Sequence, residues 1–193
     1  MLRLRVPLVL ASQSPRRRVL LRQLGLTFDV RPADTPERWP AGAEPAEAVE
    51  HIALEKVRAT PAPGSLVLGA DTVVVLDGDV LGKPETPDVA AAMLRRLSGR
   101  THTVYTGLAL GYRGREVTRH AATAVTFAAL SSDEVARYVE AASPLDKAGA
   151  YGIQDDLGAL LVARVEGEYT NVVGLPLRTL YETVRDDFAD CLV

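Results

Sequence analysis

Strand-like and helical segments alternate through the first half of this chain, and hairpins take over in the second half. That order points to an α/β fold with a partly antiparallel sheet and helices packed around it. The opening unit sets the pattern. Val6-Pro-Leu-Val-Leu10 reads as a short buried strand, and Ser14-Pro15 then opens a helix. Ser14 suits the N-cap, and Pro15 suits the first helical position, where its missing N–H costs nothing. Val19, Leu20 and Leu24 recur at helical spacing, and Gly25 closes the helix.

Thr27 to Val30 is expected as a second strand, and the proline-rich stretch Pro32 to Pro45 as an irregular loop. Val49, Ile52, Ala53 and Val57 define the apolar face of a second helix, which ends before Pro61. Leu66–Leu68 and Thr72–Leu76 read as strands with Gly69-Ala70-Asp71 between them. Asp77-Gly78 gives a two-residue hairpin turn. Thr86-Pro87 caps a third helix, which Gly99 terminates, and His102–Leu110 and Val117–Phe127 flank a Gly-Tyr-Arg-Gly turn. Ser131-x-x-Glu134 is a capping box for a fourth helix. Ala159–Val165 and Tyr169–Val173 are expected to pair across Glu166-Gly167, and Pro176 to start a last helix.

Composition narrows the class. The 193 residues are 47% apolar and 24% charged, which is ordinary globular composition and excludes disorder for the bulk of the chain. With 22 Lys and Arg against 25 Asp and Glu, the net charge of −3 argues against a nucleic-acid partner. The single cysteine, Cys191, excludes an internal disulfide framework and cannot alone build a thiolate metal site. No signal peptide, membrane span, internal repeat or long linker is legible. The expectation is a single domain, 1–193, with no membrane partner and a cytoplasmic location.

Four segments could carry chemistry. Ser12-x-Ser14-Pro-Arg16-Arg17-Arg18 puts three cations at the positive end of a helix, where an anion would compensate them. The alternative is a solvated basic patch. Asp71, set in an apolar strand region, reads either as a metal ligand or general base, or as a carboxylate paired with a structural lysine. Lys56 on the second helix and Lys83 at the Gly82-Lys83-Pro84 corner suit multiphosphate binding, but each alone also reads as a surface lysine. The loop Asp146 to Gln154 has the small residues that permit close ligand approach, and Gln154 offers the donor and acceptor that suit a pyrimidine edge. It also reads as a structural turn in which Asp146 and Lys147 pair. No nucleophile elbow or histidine ligand pair is present, so covalent catalysis has no support.

Leu10-Ala-Ser-Gln-Ser-Pro-Arg-Arg17, Leu68-Gly-Ala-Asp-Thr72, Leu81-Gly-Lys-Pro84, Leu97-Ser-Gly-Arg-Thr-His102, Asp146-Lys-Ala-Gly-Ala-Tyr-Gly-Ile-Gln154 and Val173-Gly-Leu-Pro176 together resemble the Maf family of nucleoside triphosphate pyrophosphatases. The resemblance implies a Maf/Ham1-like (ITPase-like) fold: a mixed twisted β-sheet flanked by helices, with two lobes and a central cleft, often as a homodimer. It implies hydrolysis of dTTP or UTP to the monophosphate and pyrophosphate with Mg²⁺ or Mn²⁺, in a house-cleaning role. By position, Asp71 matches the family's proton acceptor, and Arg16, Thr72 and Gln154 match positions that mark the dTTP/UTP branch. Ser12, Arg17, Lys56 and Lys83 match phosphate-contacting or otherwise functional positions, and Glu37 is the candidate for the acidic residue after the second strand. One departure is that Asp155-Asp156 stands where the family usually continues with a glycine, which bears on substrate preference. The family's first association, inhibition of septum formation, gives the alternative: a nucleotide-binding protein acting through a protein partner.

Overall fold

The computed structural model describes residues 2–142 and 144–193. Its strands form one mixed seven-stranded sheet. Strand β1 (Leu8–Leu10) pairs in parallel with β2 (Asp29–Val30) on one side and with β3 (Leu66–Leu76) on the other. Beyond β3 come β5 (Thr101–Tyr112), β6 (Arg115–Phe127) and β7 (Val162–Glu166), while the short β4 (Asp79–Leu81) pairs antiparallel with the end of β3. The helices are α1 (Pro15–Gln23), α2 (Pro45–Arg58), α3 (Pro87–Leu97), α4 (Ser132–Ala141), the short α5 (Gly158–Leu161) and α6 (Tyr169–Val173), and α7 (Leu177–Asp187). The α/β class with a flanked mixed sheet is therefore as expected.

Helix starts follow the local chemistry of the sequence. The Ser14 hydroxyl accepts from the Arg17 N–H at 3.4 Å, Thr86 Oγ1 from Val89 N–H at 3.2 Å, and Ser131 Oγ from Glu134 N–H at 3.3 Å. Each satisfies an N–H that the first helical turn leaves without a partner. Asp77, at φ 53°, and Gly78, at φ 86°, make the left-handed two-residue turn between β3 and β4.

Three expectations are corrected. Leu66–Leu68 and Thr72–Leu76 are one continuous strand, because Gly69-Ala70-Asp71 stays in the ladder instead of breaking it. The β5–β6 turn is only Arg113-Gly114, so Gly111 and Tyr112 belong to β5. Tyr169–Val173 is helix α6, not a strand, and β7 pairs with β6 instead. The Asn171 amide donates to the Val104 carbonyl at 2.9 Å and to Thr123 Oγ1 at 2.8 Å, and this tertiary anchoring overrides the weak strand preference of Thr170, Val172 and Val173.

The chain divides into two compact units. One comprises Met1–Asp71, Thr106–Ala121 and Gly174–Val193, and the other Thr72–Tyr105 and Ala122–Val173. In the first unit Val9, Ala11, Ala53, Val57, Val67 and Ala109 form a buried cluster that joins α2 to the sheet. In the second, α3 packs against α4, with Leu94, Leu97, Phe127 and Tyr138 fully buried. No helix among the described residues is long and apolar enough to cross a membrane.

Candidate active site

Lys56 is the centre of the first unit's polar cluster. It lies near the C-terminal end of α2, on the face that also buries Val49, Ile52, Ala53 and Val57. The helix can sit close enough for its ammonium to reach the strand because Gly69 has no side chain. A Cβ there would overlap the backbone carbonyl of Ala53. Lys56 Nζ donates to the Ala70 carbonyl at 3.2 Å and to Asp71 Oδ1 at 2.7 Å, and pairs with Glu37 Oε1 at 2.7 Å. Its side chain is only 8% exposed, and that of Asp71 11%. Two carboxylates thus converge on one buried ammonium, one from β3 and one from the loop before α2. Asp71 Oδ2 takes no hydrogen bond among the described residues.

Arg17 joins this cluster from α1. It is buried, which separates it from a solvated basic patch. Its Nε donates to the Gly174 carbonyl at 2.8 Å and its Nη1 to Ser12 Oγ at 3.0 Å. Burial pulls the guanidinium below its ordinary pKa, Asp71 and Glu37 oppose that pull by their charge, and Arg16 adds to it. Gly174 has φ 122°, a conformation that a side chain would strain. The fork geometry of Arg17 therefore depends on a carbonyl that only glycine presents without strain. Ser12 is buried, and Arg16 is half-buried beside Arg17.

Ser12, Arg17, Glu37, Lys56 and Asp71 are thus brought together in one unit. Thr72, Lys83 and Gln154 belong to the second unit. Thr72 follows Asp71 on β3 and is half-buried, while Lys83 and Gln154 are exposed. The Gly149 N–H donates to the Gly82 carbonyl at 3.1 Å, which ties the Lys83 corner to the Asp146–Gln154 loop. In that loop Lys147 is buried and pairs with Asp146 at 2.8 Å and with Asp155 at 3.3 Å. The Asp146–Lys147 pair of the structural-turn alternative is present, and Asp155 joins it. Nearby, His102 Nε2 lies 2.7 Å from the Tyr151 hydroxyl, and both rings meet Phe127 edge-on. Burial lowers the His102 pKa to about 4, so the imidazole is neutral near pH 7.

Residues 7–186 match the family model described as Maf-like protein. The chain belongs to the Maf family. A relative from Salinibacter ruber named dTTP/UTP pyrophosphatase is 50% identical over 100% of this chain and 96% of its own length. Another with the same name, from Moorella thermoacetica, is 58% identical over 88% of this chain and 89% of its own. A solved HAM1 protein structure from Coxiella burnetii overlaps with a TM-score of 0.43 at 20% identity, covering 63% of this chain and 73% of that one.

Three further positions support the polar groups of this Maf chain. Gly69 sets the approach of α2, Gly174 supplies the carbonyl for Arg17, and Tyr138 reaches the Gln154 loop from α4. The first two stood inside quoted motifs, where a glycine flanked by apolar residues is itself a signal of close approach or special backbone. Tyr138 left no signal beyond helical spacing.

Proposed function

We propose that this chain is a nucleoside triphosphate pyrophosphatase acting on dTTP and UTP. The carrying observation is the buried cluster of Arg17, Lys56 and Asp71, three positions that match the Maf resemblance, with the half-exposed Glu37 as a second carboxylate on the Lys56 ammonium. The identities of 50% and 58% to relatives named dTTP/UTP pyrophosphatase support the choice of substrate. Asp71 accepts a proton from water as the water oxygen bonds to the α-phosphorus. The bond from the α-phosphorus to the bridging oxygen breaks, and pyrophosphate leaves with the electron pair. Arg16, Arg17, Lys56 and Lys83 bind the phosphates and stabilise the charge that develops on them, while the Ser12 hydroxyl completes the phosphate contacts. Gln154 and Thr72 orient the base.

The donor set fits a divalent cation of the hard type. Asp71 and Glu37 offer only oxygen, and Mg²⁺ is commonly held by one or two carboxylates together with substrate phosphates. These two residues would hold Mg²⁺ or Mn²⁺, which when bound neutralises charge on the phosphate oxygens. In this reading residues 1–193 act as one cytoplasmic domain and assemble as a homodimer. The septation-inhibitor alternative is not favoured, since the relatives carry enzyme names.

The test is a panel of nucleoside triphosphates with Mg²⁺ and identification of both products. Pyrophosphate with dTMP or UMP is expected. Inorganic phosphate as the first product would point to an ordinary phosphatase, and no turnover across the panel would favour a binding protein.

A further inference from the structure

The loop that presents Gln154 is fastened by residues with no assigned role. Asp155 follows Gln154 directly, and negative charge beside a triphosphate would be a liability if it faced the ligand. Its carboxylate is instead taken up internally. Asp155 Oδ2 accepts from the Tyr138 hydroxyl at 3.3 Å and pairs with the Lys147 ammonium at 3.3 Å. The same Tyr138 hydroxyl accepts from the Gly152 N–H at 2.9 Å. Tyr138 and Lys147 are both buried. Burial raises the Tyr138 pKa to about 12, so the phenol keeps the proton that it donates.

The backbone closes around these contacts. The Asp155 N–H donates to the Gly152 carbonyl at 3.1 Å, and the Gly158 N–H to the Asp155 carbonyl at 2.9 Å. A Cβ on Gly152 would lie 2.6 Å from Asp155 Oδ2, so the carboxylate occupies the space that a side chain would need. Ile153 and Gly152 are buried on one side of Gln154 and Asp155 is half-buried on the other. Gln154 alone among these four is exposed.

We propose that Asp155 is a positioning residue for Gln154: its clamp on Lys147 and Tyr138 holds the 152–158 loop so that the Gln154 carboxamide is presented, pre-oriented, to the nucleobase. The proposal rests on the reading above, in which Gln154 meets the base. Pre-orientation lowers the ordering cost of binding, so the clamp acts on substrate selection more than on the chemical step. The charge departure is then a local staple and not a repulsive element.

The experiment compares wild type, Asp155→Ala, Asp155→Asn, Gln154→Ala and the double variant Gln154→Ala/Asp155→Ala. Two readouts are used: amide hydrogen exchange across 152–158, and pyrophosphate release from UTP and CTP. For Asp155→Ala the expected results are faster exchange confined to that loop, a several-fold rise in KM for UTP with kcat within about twofold, and a smaller UTP-over-CTP preference. Asp155→Asn still offers an oxygen to Tyr138 and Lys147 and restores most of both. In the Gln154→Ala background the Asp155→Ala change has no further effect on selectivity. Wild-type exchange and KM in Asp155→Ala would overturn the proposal, as would an undiminished selectivity effect in the Gln154→Ala background. Failure of the wild type to release pyrophosphate from any nucleotide would overturn the functional reading instead, with the exchange data still deciding the clamp.

Discussion

Lys56 Nζ stands 2.7 Å from Asp71 Oδ1, and the same ammonium stands 2.7 Å from Glu37 Oε1. The carboxylate assigned to water activation is therefore held by a cation that it shares with a second acid. Pairing of Asp71 with a lysine is the structural alternative to a catalytic role, and that pair is present; the proposed role of proton acceptor falls to the oxygen that the lysine leaves. The lysine fixes one oxygen and leaves Oδ2 without a hydrogen bond among the described residues.

Replacing Lys56 by Met should be strongly destabilising. The apolar chain fills the same space but leaves Asp71 and Glu37 facing each other without their cation. Removing one partner of a buried pair costs about 3–5 kcal/mol, and because Glu37 is half-exposed the lower end is expected. Urea unfolding at pH 7 measures it, and a loss below about 1 kcal/mol would mean that the ammonium is not the hub of the cluster.

Gly69→Ala should act on Lys56 without touching it. The new methyl meets the Ala53 carbonyl, so α2 must move off β3 or the strand must bend. Overpacking of this kind costs about 1–3 kcal/mol. Thermal unfolding should report that loss, and turnover should fall because the Lys56–Asp71 distance changes. A variant with wild-type stability would show that the helix has slack at this point.

Arg17→Lys keeps the charge and loses the fork. One ammonium cannot reproduce the Nε bond to Gly174 and the Nη1 bond to Ser12 in their fixed relation. Losing a hydrogen bond to a charged group is worth about 1.5–3 kcal/mol, so kcat/KM for dTTP should drop by roughly one to two orders of magnitude. Steady-state kinetics decides, and unchanged kcat/KM would demote the fork to a plain positive charge.

The neutral, buried His102 makes stability depend on pH in acid. Its folded pKa of about 4 lies below the ordinary value of 6.5, so between those values the unfolded chain binds the extra proton. Its contribution is complete above pH 6.5 and is lost as pH falls towards 4, by up to about 3 kcal/mol. Urea unfolding at pH 7 and pH 4.5, compared between wild type and His102→Gln, isolates this from the carboxylates. The glutamine variant should lose less stability on acidification, and identical losses would assign the acid limb elsewhere.

What the sequence made legible was local. Ser14-Pro15, Thr86-Pro87 and Ser131-x-x-Glu134 start helices where their caps require, and Asp77-Gly78 turns where its left-handed conformations demand. What escaped was set by distant partners. Tyr169–Val173 has the residues of a strand but is held as a helix through Asn171, and Leu66–Leu76 runs unbroken through a glycine and an aspartate. In the site, motif positions named the charged residues. Burial of Arg17 and the sharing of Lys56 by two acids depend on Gly174, from the last stretch of chain, and on the approach of α2 at Gly69, which no local window contains.

In the proposed reaction water attacks the α-phosphorus with Asp71 as proton acceptor. Hydrolysis of dTTP in ¹⁸O-labelled water, with mass analysis of both products for wild type and Asp71→Asn, tests it most directly. The expected result is label in dTMP and none in pyrophosphate, with turnover in Asp71→Asn lower by about 10²–10⁴-fold while the variant stays folded. Label in pyrophosphate, or near-wild-type turnover in Asp71→Asn, would contradict it.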